Sequence, residues 1–477
     1  MIFNSIDFAI FFVLVFFSYW LVFRRTILMQ NIFIVAVSYL FYGWWDWRFL
    51  SLILISSLVD YTVGKHLFTQ TNEKKRKRLL LVTVGANLGL LGFFKYYNFF
   101  ADSFINAFAY FGVDLDVHTL NIILPVGISF YTFQTLSYTL DIYYRRMEPA
   151  RDLLGFMAFV SFFPQLVAGP IERAKHLLPQ FYEKKSPDYA MLKSGLLLMA
   201  WGFFKKIVIA DRLARYVDAS YQDVNAVHGA PALVAAIFFA FQLYLDFSAY
   251  SDIAIGSART LGFDLSPNFK RPYLSSTFGA FWQRWHISLS SWFRDYLYIP
   301  LGGNRKGTAK MIRNIMIVFL LSGLWHGASW NFVIWGGING LFIIVLDKLT
   351  KPLNKTILGR IASTVFVVLM WSLSLVFFRA QTLPDALHMI GNIGTGNTAE
   401  LYNFGIAQPE FKFTIFLLIA LVLFEILQET GKLVYDRFAQ TNFIFRWAVY
   451  LSLAFGIILL GSYGIGVNDS NFIYFQF

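Results

Sequence analysis

The chain has 477 residues, of which 57% are hydrophobic, 19% aromatic and only 14% charged, where a soluble domain carries roughly 25% charged residues. So little charge cannot cover a water-facing surface, and a soluble fold is excluded. The absence of cysteine removes disulfides, thiolate metal sites and a cysteine nucleophile or acyl-cysteine intermediate, and the net charge of +12 speaks to membrane topology rather than to nucleic acid.

Apolar stretches recur from residue 6 to residue 462 with no soluble-sized block between them, which predicts one membrane-embedded domain over 1–477. The first, 6–23, lacks the basic leader and small-residue cleavage site of a secretory signal and is expected to stay as a helix. Further spans are expected at 27–45, 49–64, 79–97, 122–144, 194–216, 231–257, 361–378, 411–428 and 447–463, about ten in all. The run Lys74-Lys75-Arg76-Lys77-Arg78 marks its loop as cytoplasmic, as do nine Lys and Arg between residues 259 and 313 against only Asp264 and Asp295. Residues 113–121, 217–231, 381–410 and 464–477 contain no Lys or Arg and are expected outside, which places both termini outside. Trp44, Trp45 and Trp47 suit an interfacial belt.

Two apolar segments have basic residues at both ends on the same expected side. Residues 152–171 lie between Arg151 and Arg173 and are broken by Pro164, Gly169 and Pro170. Residues 314–346 lie between Arg313 and Lys348 and hold Gly323, Gly327, Gly336, Gly337 and Gly340. Both are expected to be re-entrant, and irregular backbone at membrane depth survives only where protein or a water-filled cavity satisfies it. Counted from Asn314, His326 comes after about 18 Å of helix, near mid-membrane.

Of the seven histidines, His66, His118, His176, His228 and His388 fall in or beside expected loops. His326 differs: in Gly323-Leu324-Trp325-His326-Gly327 an ionisable group among apolar neighbours is costly without a purpose. A structural histidine bonded to a carbonyl is the competing reading. A neutral imidazole there can take a proton from a hydroxyl near pH 7, as acyl transfer to an alcohol requires, and Asn331 or backbone N–H groups would polarise the carbonyl. On a continuous helix, Trp282, Leu289 and Phe293 share a stripe with His286, which predicts an interfacial cytoplasmic helix that presents His286, Trp282, Arg284 and Arg294 to an anionic donor. Asp246 and Asp252 stand inside an apolar span, as functional groups or as buried hydrogen-bond partners. No His, Asp and Glu set has metal-ligand spacing, and no glycine-rich nucleotide loop follows a strand.

Four blocks resemble the membrane-bound O-acyltransferases, above all their bacterial branch for alginate O-acetylation: Phe162-Phe163-Pro164-Gln165 through Ile171, the segment from Arg284-Trp285-His286 to Gly302-Gly303-Asn304, Gly323-Leu324-Trp325-His326-Gly327, and Phe472-Ile473-Tyr474-Phe475-Gln476-Phe477. The resemblance implies a helical bundle around a transmembrane funnel, His326 as the catalytic histidine and His286 at the family's second characteristic position. It also implies a bacterial inner-membrane location. Asn339 stands where relatives often place a further histidine, and the turn at Gly302-Gly303 suits the alginate-type branch better than the D-alanyl-transferring one.

The expected activity is therefore acyl transfer, with acetyl-CoA or another thioester as donor substrate and no permanently bound cofactor or metal. His326 is the expected base, and an exported polysaccharide or an extracytoplasmic acetyltransferase partner the expected acceptor. Peptidoglycan O-acetylation and D-alanylation are the same-fold alternatives. The rivals from other classes are a transporter or channel with His326 as proton relay, for which inverted repeats would argue, and a non-catalytic scaffold.

Overall fold

Backbone N–H and C=O groups find no water in hydrocarbon, so a chain this apolar satisfies them within helices. The computed structural model describes residues 1–115, 119–395, 401–402, 404–431, 438, 440–462 and 472–473, and among these every regular element is helical. His118 and, apart from Phe472 and Ile473, the tail beyond residue 462 lie outside the described residues. Two compact units share the chain that the sequence reads as one membrane-embedded domain: residues 1–192 with 257–266, and residues 193–256 with 267–477.

The first unit holds α1 (Ile6–Leu21), α2 (Ile27–Asp46), α3 (Leu50–Thr69), α4 (Glu73–Leu91), α5 (Tyr97–Tyr110) and α6 (Ile128–Tyr143), followed by the short α7 (Leu153–Ser161), α8 (Phe163–Leu166) and α9 (Ala174–Leu177). Capping side chains set several of the starts: Ser5, Thr26 and Asn72 accept from backbone N–H groups of the first turns of α1, α2 and α4. The expected break in 152–171 is present. Phe163 N–H donates to Ser38 Oγ at 3.0 Å instead of back along a helix. The Phe159 carbonyl accepts from Gln134 Nε2 at 2.9 Å and from Gln165 Nε2 at 2.8 Å, so side chains satisfy the backbone that the Phe162-Phe163-Pro164 corner releases.

The second unit is entered through α10 (Tyr189–Phe203), which passes through a π-helical stretch (Phe204–Ala210) into α11 (Asp211–Gln222). There follow α12 (Ala230–Thr260), the short α13 (Phe278–Trp282) and α14 (Ile287–Phe293), α15 (Thr308–His326), α16 (Trp330–Leu341), α17 (Asp347–Leu353), α18 (Ile357–Arg379), α19 (Leu383–Asn392), α20 (Gln408–Glu429) and α21 (Phe443–Leu460). Among the described residues, seven helical stretches are long and apolar enough to cross a membrane: Ile27–Thr69, Glu73–Tyr110, Ala230–Thr260, Thr308–His326, Trp330–Leu353, Ile357–Arg379 and Phe443–Leu460. The tally differs from the expected spans for physical reasons. The stretch Ile27–Thr69 holds two of the expected spans, α2 and α3, parted at Asp46, whose backbone is extended (φ −160°, ψ 108°); α1 has only 16 residues, α6 starts at Ile128, and the rod through 194–216 carries Lys205, Lys206 and Asp211.

The segment 314–346, expected to be re-entrant, turns back on itself in the structure. It is the core of a hairpin whose arms, α15 with 19 residues and Trp330–Leu353 with 24, are about 28 and 36 Å long. The basic flanks share a side because the chain goes out and returns. Glycines close the hairpin: a Cβ on Gly323 would lie 2.1 Å from the Phe332 carbonyl oxygen, and one on Gly336 2.2 Å from that of Phe319. Lipid supplies no hydrophobic drive between helices, so this close backbone approach is what packs them. His326 thus ends a helix of crossing length that starts at Thr308, before the apolar residues counted from Asn314.

Candidate active site

α15 stops at His326 because the chain turns extended at Gly327 (φ −157°, ψ 150°). Glycine is needed there for space: a Cβ would lie 2.1 Å from the Phe332 ring. The His326 side chain is 4% exposed and stands edge-on among Trp325 and Trp335, each with its ring centre 5.1 Å away, and Phe378 at 5.6 Å.

His286 reaches this site by a route that the helical pattern did not anticipate. The continuous interfacial helix is overturned. α13 ends at Trp282, and α14 begins only at Ile287, with His286 as its N-cap in a left-handed conformation (φ 42°, ψ 56°). The break is fixed by a neighbouring segment: Lys270 N–H donates to the Arg284 carbonyl and Ile287 N–H to the Asn268 carbonyl, both at 2.9 Å. Asp347 accepts from Phe278 N–H at 2.7 Å and so holds the start of α13 against the returning arm of the hairpin. His286 is 1% exposed, packs on Phe247 at 4.7 Å and Trp325 at 5.9 Å, and its ring centre lies 6.3 Å from that of His326. Two imidazoles 40 positions apart in sequence therefore share one aromatic box, which can hold a reacting group between them while excluding water.

The other expected site residues are more dispersed. Trp282 lies in the aromatic cluster behind the box, edge-on to Trp335 at 6.1 Å and Trp371 at 5.6 Å. Arg284 is tied with Arg271 to Glu429, at 2.8 and 2.6 Å. Arg294 pairs with Asp295 at 2.8 Å and is well exposed. Asn331 Nδ2 donates to the Ala380 carbonyl at 3.0 Å and tethers the start of α16 to the end of α18. Asn339 Nδ2 donates to the Trp335 carbonyl of its own helix at 2.9 Å and to Ser374 Oγ of α18 at 3.4 Å.

Lys205 and Lys206 were not among the expected site residues, although adjacent lysines inside an apolar span are a visible signal. Lys206 Nζ pairs with Asp246 at 2.6 Å and Asp211 at 2.9 Å, and Lys205 Nζ pairs with Asp252 at 2.8 Å and donates to Ser248 Oγ at 2.8 Å. Asp246 and Asp252 are thereby hydrogen-bonded ion-pair partners along α12. Asp246 Oδ2 also accepts from Ile473 N–H at 2.8 Å, which seats Phe472 on Tyr250 and Phe247, the latter being the ring that backs His286.

Residues 149–378 match the family described as MBOAT, membrane-bound O-acyltransferase family. The chain is 40% identical over 366 residues to the probable alginate O-acetylase AlgI of Pseudomonas putida, covering 76% of this chain and 74% of that protein. It is 35% identical over 417 residues to the peptidoglycan O-acetyltransferase of Helicobacter pylori, covering 80% and 77%. A teichoic acid D-alanyltransferase of Streptococcus thermophilus is 28% identical over 251 residues, 48% of this chain and 59% of that protein. These likenesses favour the enzyme over the transporter and scaffold readings: this multi-pass membrane chain belongs to the membrane-bound O-acyltransferase family and is an O-acyltransferase.

Proposed function

We propose that the protein moves an acetyl group from a cytoplasmic thioester, acetyl-CoA, to hydroxyls of an exported polysaccharide, either directly or through an extracytoplasmic acetyltransferase partner. The observation that supports it most is the pairing of His326 with His286, 6.3 Å apart in a buried aromatic box, in a chain whose relatives include O-acetylases matched over about three-quarters of their length. His326 serves as general base: it takes the acceptor hydroxyl's proton as that oxygen attacks the thioester carbonyl. Arg284 and Arg294 are the proposed cationic contacts of the donor, with Trp282 and Asn331 nearer the acyl end. The protein would lie in a bacterial inner membrane with both termini outside.

Peptidoglycan as acceptor is the second reading, favoured by the relative from Helicobacter pylori, which this chain matches over 80% of its own length. The test is to delete the protein in its host, complement with wild type or His326→Ala, and measure ester-linked acetyl on exopolysaccharide and on peptidoglycan separately. His326→Ala should lose about 10²–10⁴-fold in transfer at an unchanged membrane level. Normal esters in that variant would overturn the base assignment, and loss from peptidoglycan alone would move the acceptor to the second reading.

A further inference from the structure

Asp60 is a fully buried carboxyl in the middle of α3, about 15 Å of helix from Leu50 and about 14 Å from Thr69, within a stretch long and apolar enough to cross the membrane. Among the described residues no cation answers it. Its partners are neutral: Ser56 on its own helix, Thr83 and Asn87 on α4, and Thr135 on α6. Tyr138 of α6 is the titratable side chain within electrostatic reach, and its hydroxyl accepts from Ala150 N–H at 3.1 Å. α6 comes this close because Gly64, one turn after Asp60, has no side chain; a Cβ there would lie 2.7 Å from the Tyr138 hydroxyl.

The hydrogens around this carboxyl can be counted. The Thr83 carbonyl only accepts, and Asn87 Nδ2 lies 3.0 Å from it. The Asn87 amide therefore turns Nδ2 toward Asp60, at 2.9 and 3.1 Å from its two oxygens, and Oδ1 toward Ser56 Oγ at 3.0 Å and Thr135 Oγ1 at 3.2 Å. An amide oxygen also only accepts. Ser56 has one hydroxyl hydrogen, and Asn87 Oδ1 takes it over the shorter path, so a lone pair of Ser56 Oγ faces Asp60 Oδ2 at 3.4 Å. Against a carboxylate this contact sets a lone pair beside negative charge; against an acid O–H it is a hydrogen bond. Thr83 Oγ1–H donates to the other oxygen, Oδ1. We propose that Asp60 keeps its proton at neutral pH and acts as a neutral clasp between α3, α4 and α6, with Oδ2–H donating to Ser56 and Oδ1 accepting from Thr83 and Asn87. An ionised carboxyl at this depth would have neither water nor a cation to offset its desolvation, whereas the protonated ring closes without net charge. The clasp also reaches beyond these helices. Gln134, next to Thr135 on α6, donates to the Phe159 carbonyl at 2.9 Å, so fixing α6 fixes the helix that holds the Phe162-Phe163-Pro164 corner.

The test reads the proton itself. Full-length wild type and Asp60→Asn, each in lipid nanodiscs, are compared by infrared difference spectroscopy in the carbonyl-stretch region, where a protonated carboxyl absorbs apart from a carboxylate. The wild type should show a protonated-carboxyl band that the variant lacks, throughout about pH 6–8, far above the ordinary aspartate value of about 3.9. A carboxylate difference at neutral pH would overturn the proposal. Asparagine offers an N–H where the acid has O–H and a carbonyl where it has Oδ1, so Asp60→Asn should reach wild-type membrane level and keep the wild-type thermal midpoint. Asp60→Ala strands the Thr83 and Asn87 donors and should lower that midpoint by several degrees. An asparagine variant that falls as far as the alanine one, or fails to accumulate, would mean that the charge is required and would overturn the proposal. So would a wild-type midpoint that is higher in sodium chloride than in choline chloride and loses that difference in Asp60→Asn, since a bound cation would then stand in place of the proton.

Discussion

His176 and His286 put the same side chain to opposite uses. His286 is enclosed by rings, whereas His176 is 41% exposed, with Nδ1 3.0 Å from Glu172 and Nε2 3.8 Å from Asp264. Glu172 is fully buried and also accepts from Ser266 N–H and Ser266 Oγ, so the histidine belongs to a latch between residues 172–180 and 264–266. The hydrogen bond with Glu172 raises the His176 pKa above its ordinary 6.5, partly opposed by burial. A raised folded-state value means the contribution is fully present below the unfolded pKa and is lost as pH rises through the folded one. Thermal midpoints of the solubilised protein should therefore fall as pH rises above about 6.5, with a modest amplitude because solvent screens the pair. His176→Gln should flatten that fall, and an unchanged slope in the variant would remove the latch from the explanation. The sequence placed His176 in a solvated loop; its carboxylate partner four residues earlier was visible, but Ser266 was not, because that contact spans 94 positions.

At the scale of elements, the α15–α16 hairpin and the α13–α14 corner mark how far local pattern carries. The glycines of the hairpin were legible, and so was the shared side of its basic flanks. The start of α15 was not, because the helix begins at Thr308 and runs through Lys310 and Arg313, whose long side chains can reach out of the apolar layer. The corner at residues 283–286 has neither glycine nor proline and reads as helix; it is broken by the Asn268 carbonyl, which accepts from Ile287 N–H, and by Lys270 N–H, which donates to the Arg284 carbonyl, and no local rule contains them. Adjacent glycines give a clean test of the hairpin. A Cβ at Gly336 meets the Phe319 carbonyl oxygen at 2.2 Å, while one at Gly337 finds Leu320 at an ordinary 3.4 Å. Gly336→Ala should cost about 1–3 kcal/mol of packing, seen as a lower thermal midpoint and reduced transfer, with Gly337→Ala close to wild type. Equal behaviour of the two would mean that the backbones do not meet as closely as this.

For the whole molecule, composition and apolar length were enough to establish a helical membrane protein, and the depth cost of an ionisable group was enough to single out His326. What the sequence could not display was assembly: that His286 stands beside His326, that Lys205 and Lys206 answer Asp252 and Asp246, and that Ile473 closes on Asp246. Each of these joins residues 40 or more positions apart, so their meeting is a property of the fold. Orientation is the global feature that charge alone assigns, and it governs the proposed mechanism because donor and acceptor must arrive from opposite sides. The chain contains no cysteine, so single cysteines report without background. Lys77 and Asn225 are both exposed and lie in segments assigned inside and outside by the bias of Lys and Arg. In intact cells a membrane-impermeant maleimide should modify Asn225→Cys and spare Lys77→Cys, which should react only after permeabilisation. The reverse pattern would invert the topology, and with it the side from which acetyl-CoA can reach His326.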